Sequence, residues 1–258
     1  MSSAYLAAVR ARRLASPPDY KETFDLGLDA DGATLRNIWP PAHLLPGFRP
    51  FFVDFYGACT SLAGDLLAAV ALGLGLPSAA FFDRFHGRSE HQVRLLHYPA
   101  TTRTHMAGGG ESGDGTVRLG AHTDYGTLTF LFQDRVGGLE VADPTQDDRV
   151  EDSFLPVPWR PGTIVVNVGD LLQRWSNGVL RSTMHRVGEP PAVREEGDGQ
   201  TEDATTKVPA RYSIPFFVGA DSDALVECLP GCSGPDRPKK YAPVRAGEYI
   251  DMRLNGSY

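Results

Sequence analysis

The chain has 258 residues, 41% of them hydrophobic, and a formal net charge of −7, enough for one large domain or two small ones with a real apolar core. Its Lys and Arg residues are scattered apart from Arg10, Arg12 and Arg13, and without a basic stripe nucleic acid is not an expected partner. Three cysteines, Cys59, Cys228 and Cys232, are too few for a disulfide framework, and Cys228-x-x-x-Cys232 lacks a second pair for a zinc site, so a reducing, cytoplasmic setting is expected.

Residues 4–14 have helical composition and stop at Ser16-Pro17-Pro18, where two prolines prevent continuation. Their three Arg and lack of acid faintly resemble a presequence, but an ordinary amphipathic first helix is the expectation. Residues 19–50, rich in Gly, Pro and Asp, read as ordered coil over a core. Residues 60–74 carry Leu62, Leu66, Leu67, Val70 and Leu74 at helical spacing, predicting a long helix ended by Gly75 and Pro77. No apolar run is expected to be long enough to cross a bilayer, because the stretch around residues 66–76 is broken by Gly73 and Gly75. A short helix follows over 77–85, with Phe81, Phe82 and Phe85 on its apolar face.

From Gln92 the pattern changes to short β-type runs, at 93–98, 116–121, 127–132, 138–141, 163–168, 181–187, 211–218 and 225–228. Many short strands without intervening helices predict a sandwich or barrel rather than a parallel α/β sheet. The Gly-rich loop 107–115 and the acidic loop 189–207 read as solvated insertions. Residues 246–254 close the chain as a short helix. The expected organisation is a helical and coil support region over 1–91 and a β domain over 92–258.

Within the β domain, His122-x-Asp124 and, further on, His185 offer two neutral nitrogens and a carboxylate. That set holds ferrous iron on one face and leaves other positions open. Residues two apart in an extended chain point to the same side, so His122 and Asp124 can converge on one ion, and His185 could close the site from a neighbouring strand. A lone histidine is more often a core residue, so the motif needs support from its surroundings.

Seven segments in order supply it: Arg94-Leu-Leu-His-Tyr98-Pro99, Gly120-Ala-His-Thr-Asp-Tyr-Gly-Thr-Leu-Thr129, Gly137-Gly-Leu-Glu-Val141, Asn167-Val-Gly-Asp170, Trp175-Ser-Asn-Gly178, Ser182-Thr-Met-His-Arg-Val187 and Arg211-Tyr-Ser-Ile-Pro-Phe-Phe217. Together with Pro18-Asp-Tyr-Lys-Glu-Thr-Phe-Asp-Leu-Gly27, they resemble the iron(II) and 2-oxoglutarate-dependent dioxygenases of the isopenicillin N synthase-like group. The resemblance implies a mainly β, α+β architecture: a double-stranded β-helix, or jelly roll, with supporting N-terminal helices. It makes His122, Asp124 and His185 the ligands of Fe(II), and Arg211 with Ser213 the pair that binds the distal carboxylate of 2-oxoglutarate. Tyr98 stands where a tyrosine adds a hydroxyl contact to the same co-substrate. A guanidinium fork matches a carboxylate bidentately, which agrees with that role for Arg211.

The implied activity is that of an oxidoreductase using O2 and 2-oxoglutarate to hydroxylate, desaturate or cyclise a small organic molecule, such as a secondary-metabolite intermediate. An oxidase of the same fold that does without 2-oxoglutarate, and a non-catalytic scaffold, are the competing readings. Many members carry an Asn two residues before the tyrosine, where this chain has Leu96. They also carry further N-terminal residues, including a supporting strand and helix that this chain is expected to lack, with homodimerisation or the 19–50 coil covering the barrel instead. Arg94, His105, Tyr125, Phe130 and Phe217 are the expected walls of the substrate pocket, and Asn167, Asp170, Trp175 and Asn177 are read as turn and packing residues.

Overall fold

Period-two alternation in the strands that follow Gln92 decides the layout, because each strand sends one set of side chains toward covering helices and the other toward the facing sheet. The computed structural model describes residues 19–31, 33, 36–102, 118–143, 153–190 and 207–255. The helix expected over 4–14, the loop 107–115 and most of the acidic loop 189–207 lie outside the described residues.

Strands β1 (Glu22–Leu26), β2 (Gln92–Tyr98), β5 (Leu128–Gln133), β8 (Val165–Val168) and β11 (Arg211–Val218) form one five-stranded antiparallel sheet in the order β1-β2-β11-β5-β8. Strands β4 (Leu119–His122), β6 (Leu139–Ala142), β7 (Phe154–Pro156) and β9 (His185–Val187) form a second sheet, ordered β4-β9-β6-β7. Leu96 and Tyr98 of the first sheet pack with Leu119 and Val187 of the second in a small buried cluster, so the two sheets face each other. This is the jelly roll that the family resemblance implies. Short pairs β3 (Thr101–Thr102) with β10 (Lys207–Val208), and β12 (Leu225–Val226) with β13 (Val244–Arg245), fasten its margins.

The outer face of the large sheet meets α1 (Phe48–Gly73), a 3-10 turn (Ala79–Phe85), α2 (Asp170–Trp175) and α3 (Ala246–Asn255). Val93, Phe130, Phe216 and Val218 of the sheet share one core with Phe52, Tyr56, Cys59, Ala63, Leu67 and Ala71 of α1, and with Phe82 and Trp175. Each large side chain buried there contributes about 1.5–3 kcal/mol.

Two expectations are corrected here. Residues 19–50 are not all coil: Glu22–Leu26 forms β1, which lengthens the large sheet, and α1 starts at Phe48 rather than near Thr60. Pro50 falls in the first turn of α1, where a missing N–H costs no intrahelical bond. The 26-residue α1 is also long and apolar enough, by length and composition, to cross a membrane, contrary to the expectation that no segment is. Its Phe52 to Ala71 stripe belongs to the domain core.

His91, just before β2, is 5% exposed. The backbone N–H of Gly219 donates to its Nδ1 at 3.1 Å, which requires a lone pair on that nitrogen. Burial, then the neighbouring His86, push the His91 imidazole down to about 4. An unfolded chain binds this proton below its ordinary pKa while the folded one does not, so stability is lost as pH falls from about 6.5 toward 4. The expected contribution is about 3 kcal/mol. Thermal melts of the metal-free protein across that range should show the decline, and His91→Gln should make it shallower while the buried His122 and His86 keep their share; an equally steep decline in the variant would refute the assignment.

Candidate metal centre and co-substrate pocket

His122 and His185 lie directly opposite each other on β4 and β9, with ring centroids 4.3 Å apart. His122 Nδ1 is 2.8 Å from the carbonyl of Gly120 and His185 Nδ1 is 3.0 Å from that of Thr183. A carbonyl can only accept, so both Nδ1 atoms carry the proton and both Nε2 atoms present lone pairs. Those lone pairs converge on Asp124: His122 Nε2 is 3.9 Å and His185 Nε2 3.8 Å from its Oδ1. The three ligand atoms lie within 4.8 Å of one another, a spacing that could hold a metal ion. Burial, then His185, push the His122 imidazole down to about 4, so it is neutral at physiological pH, as a ligand must be.

The other carboxylate oxygen, Asp124 Oδ2, accepts a 2.7 Å hydrogen bond from Asn167 Nδ2. Asn167 reaches it from the inner face of β8, opposite Thr129. The reading of Asn167 as a turn residue is therefore corrected, since it orients the carboxylate and leaves Oδ1 for the histidine side. Removing such an outer partner of a metal ligand typically costs about 10–100-fold in metal affinity. That loss is expected for Asn167→Ala, measured by competition of Fe(II) against a chromogenic chelator; unchanged affinity would show that the bond does not orient Asp124.

Asp170 is corrected as well. It is 4% exposed, and its Oδ2 accepts from Tyr249 Oη at 2.8 Å, from Thr123 Oγ1 at 3.4 Å and from Arg253 Nη1. Arg253 Nη2 also donates to Thr123 Oγ1 at 3.1 Å, and its guanidinium lies 4.5 Å from the centre of the Tyr125 ring. The C-terminal helix thus clips the Thr123-Asp124-Tyr125 segment from behind. The backbone N–H groups of Asp170 and Leu171, left free at the start of α2, donate to the carbonyls of Asp124 and Gly126 at 2.8 and 3.0 Å. Trp175, fully buried in the core, and Asn177, in a turn at φ 53°, keep the packing and turn roles read from the sequence.

Deeper between the sheets, Arg211 pairs in register with Tyr98, and Ser213 with Leu96 and Gln133. Arg211 and Tyr98 are fully buried, and Ser213 is nearly so. Arg211 Nη1 donates to Ser213 Oγ and Nη2 to Gln133 Oε1, each at 3.2 Å, and the guanidinium lies 5.1 Å from the centre of the Tyr98 ring. Among the described residues Arg211 Nε, Tyr98 Oη and Gln133 Nε2 have no hydrogen-bond partner. Buried donors without acceptors are costly, and a carboxylate is an acceptor of the kind they lack. The residues fit 2-oxoglutarate. Leu96 adds only apolar surface at the place where an Asn is common.

Of the expected substrate walls, Arg94 and Phe217 share the inner face, with the Arg94 guanidinium 5.9 Å from the Phe217 ring and bonded to Asp25 at 2.6 and 2.9 Å. Tyr125 lies beside Arg253. Phe130 is corrected: it faces the helices, stacked on Phe216 at 5.9 Å in the core. His105 lies outside the described residues.

A jelly roll with a His-Asp-His cluster between its sheets defines a class of non-haem iron oxygenases, and the sequence comparison agrees: the profile of the 2OG-Fe(II) oxygenase superfamily matches residues 89–220. The chain belongs to that superfamily; its cofactor is Fe(II), its co-substrates are 2-oxoglutarate and O2, and it acts on a small molecule. It is similar to proline hydroxylase buaE of Petromyces alliaceus, 40% identical over 93% of this chain and 69% of the relative. It is also similar to 2-oxoglutarate-dependent dioxygenase htyE of Aspergillus rugulosus, 36% identical over 93% of this chain and 68% of that one. Among solved structures, a full-length Neurospora crassa protein in complex with alpha-KG superposes with a TM-score of 0.78 at 36% identity, covering 96% of this chain and 68% of the Neurospora chain.

Proposed function

We propose that His122, Asp124 and His185 hold the Fe(II), that Arg211, Ser213 and Tyr98 take the distal carboxylate of 2-oxoglutarate, and that the enzyme oxidises a small secondary-metabolite intermediate by hydroxylation, desaturation or cyclisation. One observation carries this reading: the two Nε2 lone pairs and Asp124 Oδ1 converge within 4.8 Å. Bound iron and 2-oxoglutarate supply an O2-dependent oxidation coupled to decarboxylation, which yields succinate and carbon dioxide. The chain's own residues set the geometry. Gly120 and Thr183 carbonyls fix both histidine tautomers, Asn167 turns the carboxylate, and Arg211 anchors the far end of the co-substrate.

The substrate side is supported by Arg94 and Phe217, an ion-paired cation beside an aromatic ring on the inner face of the large sheet. Relatives named as a proline hydroxylase and as 2-oxoglutarate-dependent dioxygenases support a small organic substrate, and the seven ordered motifs support the isopenicillin N synthase-like group. The free thiols of Cys59, Cys228 and Cys232 support a reducing, cytoplasmic setting. The test is to incubate the reconstituted enzyme with small-molecule extracts, O2 and 2-oxoglutarate. Succinate should form in step with a product heavier by one oxygen or lighter by two hydrogens. Turnover that proceeds equally without 2-oxoglutarate would instead establish the oxidase reading.

A further inference from the structure

A second guanidinium lies at the co-substrate end of the barrel. Arg118, the described residue that leads into β4, is fully buried. Its Nη2 donates to the carbonyl of Pro209, two residues before Arg211. Among the described residues its Nε and Nη1 have no hydrogen-bond partner. The Arg118 guanidinium lies 5.9 Å from the centre of the Tyr98 ring, and the Arg211 guanidinium lies 5.1 Å from the same centre.

Two buried cations beside one tyrosine repel each other, and burial disfavours the charge on both. The carboxylates of Asp134 and Glu189 exert a compensating pull on Arg118. Asp134, however, already accepts the backbone N–H groups of Val136 and Tyr212 at 3.0 and 2.6 Å. Arg118 Nε and Nη1, Arg211 Nε, Gln133 Nε2 and Tyr98 Oη make five buried polar atoms in one neighbourhood without partners among the described residues. Four of the five can only donate, so the missing partner is an acceptor, and the excess positive charge makes it an anion.

We propose that Arg118 is a second co-substrate-binding residue, which with Arg211 holds the distal carboxylate of 2-oxoglutarate and makes the pocket selective for a dicarboxylate over a 2-oxo acid with an uncharged tail. The inference rests on the reading of Arg211 given above. Nothing in the sequence marks Arg118 for this role, since it stands alone after a Gly-rich loop.

The experiment compares dissociation constants of 2-oxoglutarate and 2-oxopentanoate, which share the chelating head and differ at the distal carboxylate. They are measured anaerobically on the Fe(II)-loaded full chain by calorimetry and by the metal-to-ligand charge-transfer band. The wild type should prefer 2-oxoglutarate. Arg118→Gln should reduce that preference by at least about 30-fold, the low end for truncating one partner of a buried, hydrogen-bonded charge pair, while 2-oxopentanoate binds as before. Arg118→Lys, which keeps a cation but loses the fork, should fall between, and serves as the second variant if Arg118→Gln does not fold. A folded variant with unchanged preference, or equal weakening of both ligands, would overturn the proposal. Arg211→Gln separates the two readings: if it abolishes the preference and the Arg118 variants do not, only the role of Arg118 fails. If the wild type has no preference, or Arg211→Gln leaves it intact, the co-substrate reading itself fails, and this proposal with it.

Discussion

Asp124→Ala should abolish iron binding and turnover while leaving the fold in place. Asp124 is the anionic member of the cluster, and its Oδ1 is the point on which both histidine Nε2 atoms converge. Without it, two neutral imidazoles remain to hold a hard divalent cation that favours an oxygen donor. The loss should therefore exceed the roughly 10–100-fold expected when only an orienting partner such as Asn167 is removed. The fold should survive, because the carboxylate's described side-chain partner is Asn167 and the backbone carbonyl of residue 124, which accepts from Asp170, is retained in Ala. Iron per chain after anaerobic reconstitution and desalting, read beside a thermal melt of the metal-free protein, checks both halves. Stoichiometric iron in Asp124→Ala would remove this residue from the ligand set.

How far such a site is legible in sequence depends on the range of the interactions that build it. His122 and Asp124 are readable because two-residue spacing puts both on one side of an extended chain, and the ordered motifs around His185 and Arg211 place the other members. Asn167 and Asp170 look like turn formers because their partners lie 43 and 83 residues away, at Asp124 and Arg253. Phe130 reads as a pocket wall for a different reason: the run Leu128–Gln133 alternates Leu128, Phe130 and Phe132 with Thr129, Leu131 and Gln133, and period two separates the faces without saying which of them meets the pocket. β1 is hidden by its charges. Glu22 pairs with His97 and Asp25 with Arg94 across the strand edge, so its sequence lacks the apolar alternation of a strand although Phe24 and Leu26 pack on the core. The early start of α1 is hidden by Pro50 and Gly57, which punctuate a loop elsewhere but are tolerated in this helix.

Gly169→Ala should be the most destabilising single methyl addition near the site. A Cβ at Gly169 would lie 2.2 Å from the carbonyl oxygen of Gly126, 2.7 Å from its carbonyl carbon and 3.3 Å from the carbonyl oxygen of Asp124. All three obstacles are backbone, so no rotamer relieves them. Three short bonds draw the same segments together: Gly169 N–H to Thr127 O, Asp170 N–H to Asp124 O and Leu171 N–H to Gly126 O, at 3.0, 2.8 and 3.0 Å. A methyl group must prise α2 from the loop that carries Asp124 and stretch these bonds. Overpacking typically costs about 1–3 kcal/mol and each weakened hydrogen bond about 1 kcal/mol more, so a loss of about 3 kcal/mol or more is expected, a fall of about 10 °C in Tm for a chain of this size. Gly64 is the control. It lies exposed within α1 with nothing near its would-be Cβ, so Gly64→Ala should instead gain about 0.5–1 kcal/mol of helix propensity. The Gly169 variant should also bind iron more weakly, because the Gly126 carbonyl it displaces lies two residues from Asp124, whose own carbonyl is also in close contact. A variant that melts like the wild type would mean that the loop can give way without cost, and the close approach would then not be what holds Asp124 toward His122 and His185.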